Sequence, residues 1–378
     1  MNKKRIAVFG GSFHPIHNGH LALAQHALKA LSLDNVLFVV DRIPPHKTLA
    51  EGATDQQRVD MLRLAVADEP KFSVETMELS REGKSYTVDT LSELHRREPN
   101  AEYFFLMGSD MLLSFHTWRS PEEIAKLCTL VCTVRTGQSG GEEAAANALK
   151  TSIGANVILL SEVSPLSSTE VRSRIHNALP LHGFVPPRVE HYIYKNGCYM
   201  PGELLPMYAR LKTEISDSRM EHTAYVMQTA IELADRFDVD PNKARLAALL
   251  HDCCKYMPFE ELLPYADTNP PIPAILHAPA GAAYAKAVYG VTDEDVLQAI
   301  RLHTTGDANM TDLDRVIYLA DMIEPSRTFE GVDEIRSANT LKEMMRLALK
   351  QSICYIKKKG GAVHPATERA LNELGGDS

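Results

Sequence analysis

A chain of 378 residues exceeds a typical single domain and predicts two, and 44% hydrophobic with 24% charged residues is enough for each to bury its own core. A formal net charge of −9 excludes general attraction to nucleic acid or an anionic membrane, while leaving room for a local basic pocket that takes a small anion. Six cysteines without a Cys-x-x-Cys pair, an opening apolar run too short for a secretion signal, and no run of membrane-spanning length point to a cytoplasmic protein.

In chain order, residues 5–9 read as a buried strand, and residues 19–31, with Leu21, Ala24, Leu28 and Leu31 at helical spacing, as a helix. Between them lies Gly10-Gly11-Ser12-Phe13-His14-Pro15-Ile16-His17-Asn18-Gly19-His20. Paired glycines let a backbone approach a ligand closely, and a helix start offers unpaired amides to phosphate oxygens. His17 and His20 add hydrogen-bond donors, so the segment reads as a nucleotide-phosphate site. Further strands are expected at 36–40, 103–107, 130–134 and 157–160, alternating with helical patterns up to about residue 195. That alternation predicts an α/β, Rossmann-like domain with a parallel sheet, whose ligands sit at the carboxyl ends of the strands.

Several polar segments fall at such strand ends. Arg42, His46 and Lys47 put positive charge on a loop stiffened by Pro44 and Pro45. Ser85-Tyr86-Thr87-Val88-Asp89-Thr90 precedes a helix and reads equally as a cap. Gly108-Ser109-Asp110 follows a strand, with Trp118-Arg119 close behind. Ser167-Ser168-Thr169-Glu170-Val171-Arg172 opens another helix, either as a capping box of Ser167 with Glu170 or as a polyphosphate contact.

Together these segments closely resemble the bacterial nicotinate-nucleotide adenylyltransferases, in the expected order over residues 5 to about 195. The Gly-x-Phe-x-Pro-x-His-x-Gly-His core is shared with other nucleotidylyltransferases; the prolines with Lys47, the Tyr-Thr segment and Trp118 narrow it to the pyridine branch. His14 departs from the family, which often carries Asp or Asn there. The resemblance implies ATP over Gly10, Gly11, Ser12 and Phe13, with His17 and His20 on its phosphates. Ser168, Thr169 and Arg172 would lie on the triphosphate side, and Gly108 and Asp110 at the adenosine. Nicotinate mononucleotide would lie against Thr87 and Trp118, with Lys47 and Arg135 near its anionic groups. Its phosphate attacks the α-phosphorus of ATP, and His17, His20, Arg172 and Mg2+ neutralise the developing charge.

Beyond Pro201-Gly202 strand-like runs give way to helical patterns such as 219–237 and 242–250, predicting an all-α second domain. The expected division is residues 1–198 and 199–378. His251-Asp252 ends one helical run, with Lys255 one turn on, and His222, His277, His303 and Asp321 surround it in sequence. Asp321 stands on an apolar helical face, where an unpaired carboxylate needs a cation or strong donors. The ordered set resembles the ligand series of HD-superfamily metal phosphohydrolases. The words His251-Asp252-Cys253-Cys254-Lys255, His303-Thr304-Thr305-Gly306 and Ala320-Asp321-Met322-Ile323-Glu324-Pro325-Ser326-Arg327 are similar to its YqeK-type branch, the symmetrical diadenosine tetraphosphate hydrolases. Imidazole and carboxylate ligands suit iron, manganese or zinc; the resemblance favours iron. It implies one or two ions held by His222, His251, His277, His303 and Asp321, with Asp252 between them and Lys255 and Arg327 at the phosphates.

The expected protein is therefore bifunctional, making nicotinate adenine dinucleotide and splitting diadenosine tetraphosphate into two ADP. Its partners would be small nucleotides, and a homodimer is compatible with this reading. Two alternatives stay open: a second domain that senses nucleotides without catalysis, and pantetheine phosphate as acceptor in the first.

Overall fold

The structure, a computed structural model, describes residues 3–42, 51–134, 141–161, 166–265 and 272–375. Its chain divides into two compact units, residues 1–173 with 181–190, and residues 174–180 with 191–378.

The first unit is built on six strands: β1 (Arg5–Gly11), β2 (Asn35–Val40), β3 (Phe72–Glu75), β4 (Glu102–Gly108), β5 (Thr129–Val134) and β6 (Val157–Ser161). All neighbours are parallel, in the order β3-β2-β1-β4-β5-β6. Crossover helices cover both faces of such a sheet, so its central strands are apolar throughout rather than alternating. Residues 6–9 of β1 and 103–107 of β4 are buried without a break. Alternate side chains serve opposite faces. Ile6, Val8, Tyr103, Phe105 and Met107 join one cluster with Leu91, Leu94, Phe115 and Trp118. The chain leaves β1 for β2 on one side and resumes with β4 on the other, which opens a crevice at their carboxyl ends. The four expected later strands and the one at residues 5–9 are present; β3, with only Phe72 and Val74 apolar, was not anticipated.

Among its described residues the second unit holds helices and no strand. Two helices are set by aspartate caps. Asp240 accepts from the amides of Asn242 (2.9 Å) and Lys243 (3.2 Å) at the start of Pro241–Leu250. Asp293 accepts from those of Asp295 (3.0 Å) and Val296 (3.3 Å) at the start of Glu294–Leu302. Lys243 Nζ joins the two starts, lying 3.0 Å from Asp293 and 2.5 Å from Asp295. His251 and His303 are the residues at the far ends of these same helices. Small side chains, Ala278, Ala280, Gly281, Ala282 and Ala285, form the buried side of His277–Val288 and let neighbouring backbones come close. No helix of the described residues is long and apolar enough to cross a membrane.

Because each aspartate satisfies two amides that have no helical partner, Asp240→Ala and Asp293→Ala should each cost about 1 kcal/mol. Urea unfolding of the full chain, followed by a probe in the second unit, measures the loss; unchanged midpoints would refute the role of the caps.

Candidate functional sites

In the first unit the crevice holds a cavity of about 650 Å3. Residues Gly10, Gly11, Ser12, Phe13, His17, His20, Thr87, Gly108, Asp110, Trp118, Ser168, Thr169 and Arg172 all line it. Lys47 and Arg135 lie outside the described residues. His17 precedes the helix Asn18–Ala30 as its cap, and its ring stacks on that of His20 at 3.6 Å between centroids. Gly19 makes this possible: a Cβ there would meet His17 Nδ1 at 3.0 Å and Leu166 Cβ at 3.2 Å. His20 Nδ1 accepts the His17 amide at 3.3 Å, which leaves the ring proton of a neutral His20 on Nε2 as a donor. Burial lowers His17 from 6.5 to about 4, so it is a neutral ring at physiological pH.

Ser168 and Arg172 contact the loop itself. Ser168 Oγ donates to the Pro15 carbonyl at 2.9 Å, while Arg172 donates to the His14 carbonyl at 2.7 Å and to Thr169 Oγ1 at 3.1 Å. Ser167 Oγ accepts the Glu170 amide at 3.2 Å, so the capping function of this segment is present too. Trp118 is buried between Phe105 and Phe115 yet lines the cavity, serving core and site at once. Asp41 and Glu78 line the cavity as well, and neither was singled out from sequence. Glu78 is buried, accepts from Thr90 Oγ1 at 2.5 Å, and is raised above the usual carboxylate range chiefly by that burial.

The second unit gathers the other set. His222 lies in Asp217–Arg236, His251 ends Pro241–Leu250, His277 opens His277–Val288, His303 ends Glu294–Leu302, and Asp321 lies in Asp312–Ile323. Potential ligand atoms form two groups, His222 with His251 and Asp321, and Asp252 with His277 and His303, each within 4.8 Å. At a helix end the last carbonyls lack a partner. His251 Nδ1 meets the Ala248 carbonyl at 2.7 Å and His303 Nδ1 meets that of Ile300 at 2.7 Å. A carbonyl only accepts, so both protons sit on Nδ1 and both Nε2 lone pairs face inward. His222 follows the same rule with a side chain, its Nδ1 lying 3.2 Å from the buried Glu324 carboxylate.

Inside the cluster His222 Nε2 is 3.0 Å from Asp321 Oδ1, His251 Nε2 is 3.5 Å from Asp252 Oδ2, and His277 and His303 Nε2 are 3.3 and 3.5 Å from Asp252 Oδ1. Yet the Nε2 atoms of His222, His251 and His303 and Oδ1 of Asp252 are buried without a hydrogen bond. Donors about 2.1 Å from a shared ion stand roughly 3.0 to 3.4 Å apart, so this donor set fits a divalent cation. Each oxygen of Asp252 faces a different group.

Charge follows the same plan. Burial opposes ionisation of Asp252, but with Nε2 of His251 and His303 protonated in place of a cation these rings outweigh it and hold the carboxyl well below its usual range. Burial, with His303 beside it, lowers His277 to about 3. Two arginines support the carboxylates: Arg219 Nη1 lies 2.8 Å from Asp252 Oδ2, and Arg327 Nη2 lies 2.9 Å from Asp321 Oδ1. Lys255 Nζ is 3.0 Å from His277 Nε2. Arg219 and Glu324 were assigned no role from sequence; the signal for Arg219 is its position three residues before His222, on one face of a helix.

A cytidylyltransferase-like family model matches residues 8–174, and an HD domain model matches residues 219–326. A Mycoplasma pneumoniae protein named Probable nicotinate-nucleotide adenylyltransferase/Ap4A hydrolase is 31% identical over 364 residues, covering 93% of this chain and 98% of that protein. The chain belongs to the nicotinate-nucleotide adenylyltransferase/Ap4A hydrolase family. Its first half alone is 43% identical over 195 residues to a Thermus thermophilus protein named Probable nicotinate-nucleotide adenylyltransferase, covering 52% of this chain and 99% of that protein. For the other half, a crystal structure of a predicted HD superfamily hydrolase involved in NAD metabolism from Clostridium acetobutylicum shares 38% identity, 44% of this chain, 93% of that chain and a TM-score of 0.41. In this family member, then, two separate sets of histidines occupy two separate folds.

His17 yields a test by pH. In the unfolded chain it takes its proton near 6.5 and in the folded protein only near about 4, so the unfolded state binds more protons between those values. Its contribution to stability is complete above 6.5 and falls as pH drops toward 4. Histidine-selective NMR should show His17 titrating near 4, and His17→Asn should flatten the acid limb of the stability profile; titration near 6.5 would contradict the burial argument.

Proposed function

We propose that this chain carries both activities: adenylyl transfer from ATP to nicotinate mononucleotide, releasing pyrophosphate, and symmetrical hydrolysis of diadenosine tetraphosphate to two ADP. The reading rests above all on one polypeptide combining a phosphate cradle at a strand-to-helix crossing with a cluster of four histidines and two aspartates. The functional division taken with it is residues 1–198 and 199–378.

In the first half, the acceptor phosphate attacks the α-phosphorus in line and pyrophosphate leaves, with no covalent enzyme intermediate. His20 Nε2 and the loop amides donate to the transferring phosphate, and His17, neutral beside it, offers a second ring. Arg172 and Ser168 hold the loop in shape through its carbonyls. Asp110 takes the adenosine and Thr87 with the edge of Trp118 the pyridine ring; Lys47 and Arg135 complete the proposed acceptor site. Mg2+ arriving with the nucleotide neutralises its phosphates.

For the second half, His222, His251, Asp321, Asp252, His277 and His303 are the proposed metal ligands. A bound cation supplies charge neutralisation at the phosphoryl group and acidifies water. Imidazole and carboxylate ligands suit iron, manganese or zinc, the family resemblance favours iron, and metal analysis of the purified chain decides among them. Arg219 and Arg327 keep the aspartates aimed, and Lys255 faces the same centre for an incoming phosphate. Six free cysteines suit a reducing cytoplasm.

The two halves should fail separately. In the full chain, Asp252→Asn should lower tetraphosphate hydrolysis by on the order of 100-fold while leaving adenylyl transfer within about twofold, and His20→Ala should do the reverse. Product analysis by chromatography reads both reactions. Hydrolysis that survives Asp252→Asn would refute the second half of the reading, and transfer that survives His20→Ala the first.

A further inference from the structure

Arg58 lies in the helix Asp55–Val66, a segment whose charged neighbours Asp55, Asp60 and Arg63 make it look like a solvated face. Its side chain is nevertheless fully buried, at 0% exposure. From there Nη1 donates to the Ser12 carbonyl at 2.6 Å, and Nη2 donates to the Asp41 carbonyl at 2.7 Å and to Asp55 Oδ1 at 2.9 Å. One guanidinium thus ties together the residues that follow β1 and β2 and the start of a helix, from behind the cavity that Ser12, Phe13 and Asp41 line.

The bond to Ser12 has a directional consequence. In a trans peptide the carbonyl and the next amide point in opposite directions. Holding the Ser12 carbonyl toward Arg58 therefore turns the Phe13 amide away from it, in a residue that lines the cavity. That amide donates no hydrogen bond among the described residues. Phe13 also has φ +43°, a left-handed conformation that a bulky residue adopts only when its surroundings impose it. The isolated loop would relax, and the deep, charged bond to the Ser12 carbonyl opposes relaxation on the β1 side of Phe13, as Arg172 and Ser168 do beyond it.

We propose that Arg58 is a positioning residue for phosphate chemistry in the first unit: through the Ser12 carbonyl it aims the Phe13 amide at the transferring phosphate. The proposal rests on the adenylyl-transfer reading above. A donor aimed at charge that develops in the transition state acts on kcat more than on KM. A residue that only stabilised the fold would lower melting temperature and active fraction, with no such split.

The test uses the full chain with Arg58→Met and Arg58→Lys, assayed for transfer from ATP to nicotinate mononucleotide. Arg58→Met should lower kcat by about 100-fold with both KM values within about threefold. Arg58→Lys keeps the charge but lacks the planar fork that reaches Ser12 and Asp41 together, and should retain about a tenth of kcat. In protein carrying 15N-phenylalanine, a non-hydrolysable ATP analogue should shift the Phe13 amide in wild type and leave it in place in Arg58→Met. An unchanged kcat, a loss carried by KM, or equal Phe13 shifts in both proteins would overturn the proposal. If Arg58→Met does not fold, the Arg58→Lys kinetics and spectrum decide alone. Wild type that binds the analogue at Phe13 but does not adenylylate nicotinate mononucleotide refutes the acceptor reading, while the amide comparison still judges Arg58.

Discussion

A backbone carbonyl that falls outside a ladder must find a donor, and both sites in this chain are organised by the side chains that meet this demand. In the first unit Arg58 serves Ser12, Arg172 serves His14 and Ser168 serves Pro15, so three carbonyls of one loop are pinned from outside. In the second, His251 and His303 serve carbonyls of their own last helical turns. The same bond that ends a helix therefore fixes a ring tautomer and points Nε2 at a cation position. No separate orienting residue is needed for these two rings, whereas His222, in the middle of its helix where carbonyls are already paired, needs the carboxylate of Glu324.

This dependence explains why the ligand geometry is tied to helix starts as well as ends. A helix is a rigid ruler of about 1.5 Å per residue, so its first residue sets where its last one stands. Asp240 and Asp293 fix the starts, and Lys243 fixes one start against the other. His251 and His303 at the opposite ends are then held at 5.2 Å between ring centroids. Capping energy of about 1 kcal/mol per helix is small beside core burial, but it acts along the axis that matters for ligand spacing.

Much of this was legible from residue order. A glycine pair ending a strand, followed by two histidines at a helix start, located the cradle because close backbone approach, unpaired amides and donors are local properties of residues 10–20. Parallel topology was legible because strand-like runs alternate with helical patterns up to about residue 195. The short edge strand β3 was not, since Phe72 and Val74 alone cannot be told from a loop that touches the core. Arg58 was not for a different reason: it meets Ser12 and Asp41, the residues directly after β1 and β2, a long-range arrangement to which local pattern is blind. Arg219 and Glu324 stood beside named histidine and arginine positions, yet only packing shows that each faces Asp252 or His222. Ser167 illustrates the opposite case, where two local readings, cap and phosphate contact, are compatible because the residue that caps the helix also lines the cavity.

A chain of net charge −9 that handles polyphosphates must supply positive potential locally, and the two halves do so by different means. The first sets neutral donors at its cradle, amides, a His20 N–H and a His17 ring that burial keeps uncharged, with the cations Arg119 and Arg172 lining the same cavity. Neutral donors bind phosphate without holding it so strongly that a product dinucleotide and pyrophosphate cannot leave, which suits a reaction that moves charge between two bound anions. The second invests in carboxylates, which repel phosphate unless a cation stands between, and then surrounds them with Arg219, Arg327 and Lys255. The design follows from the reaction: hydrolysis needs water made acidic, which backbone amides do not achieve and a cation does.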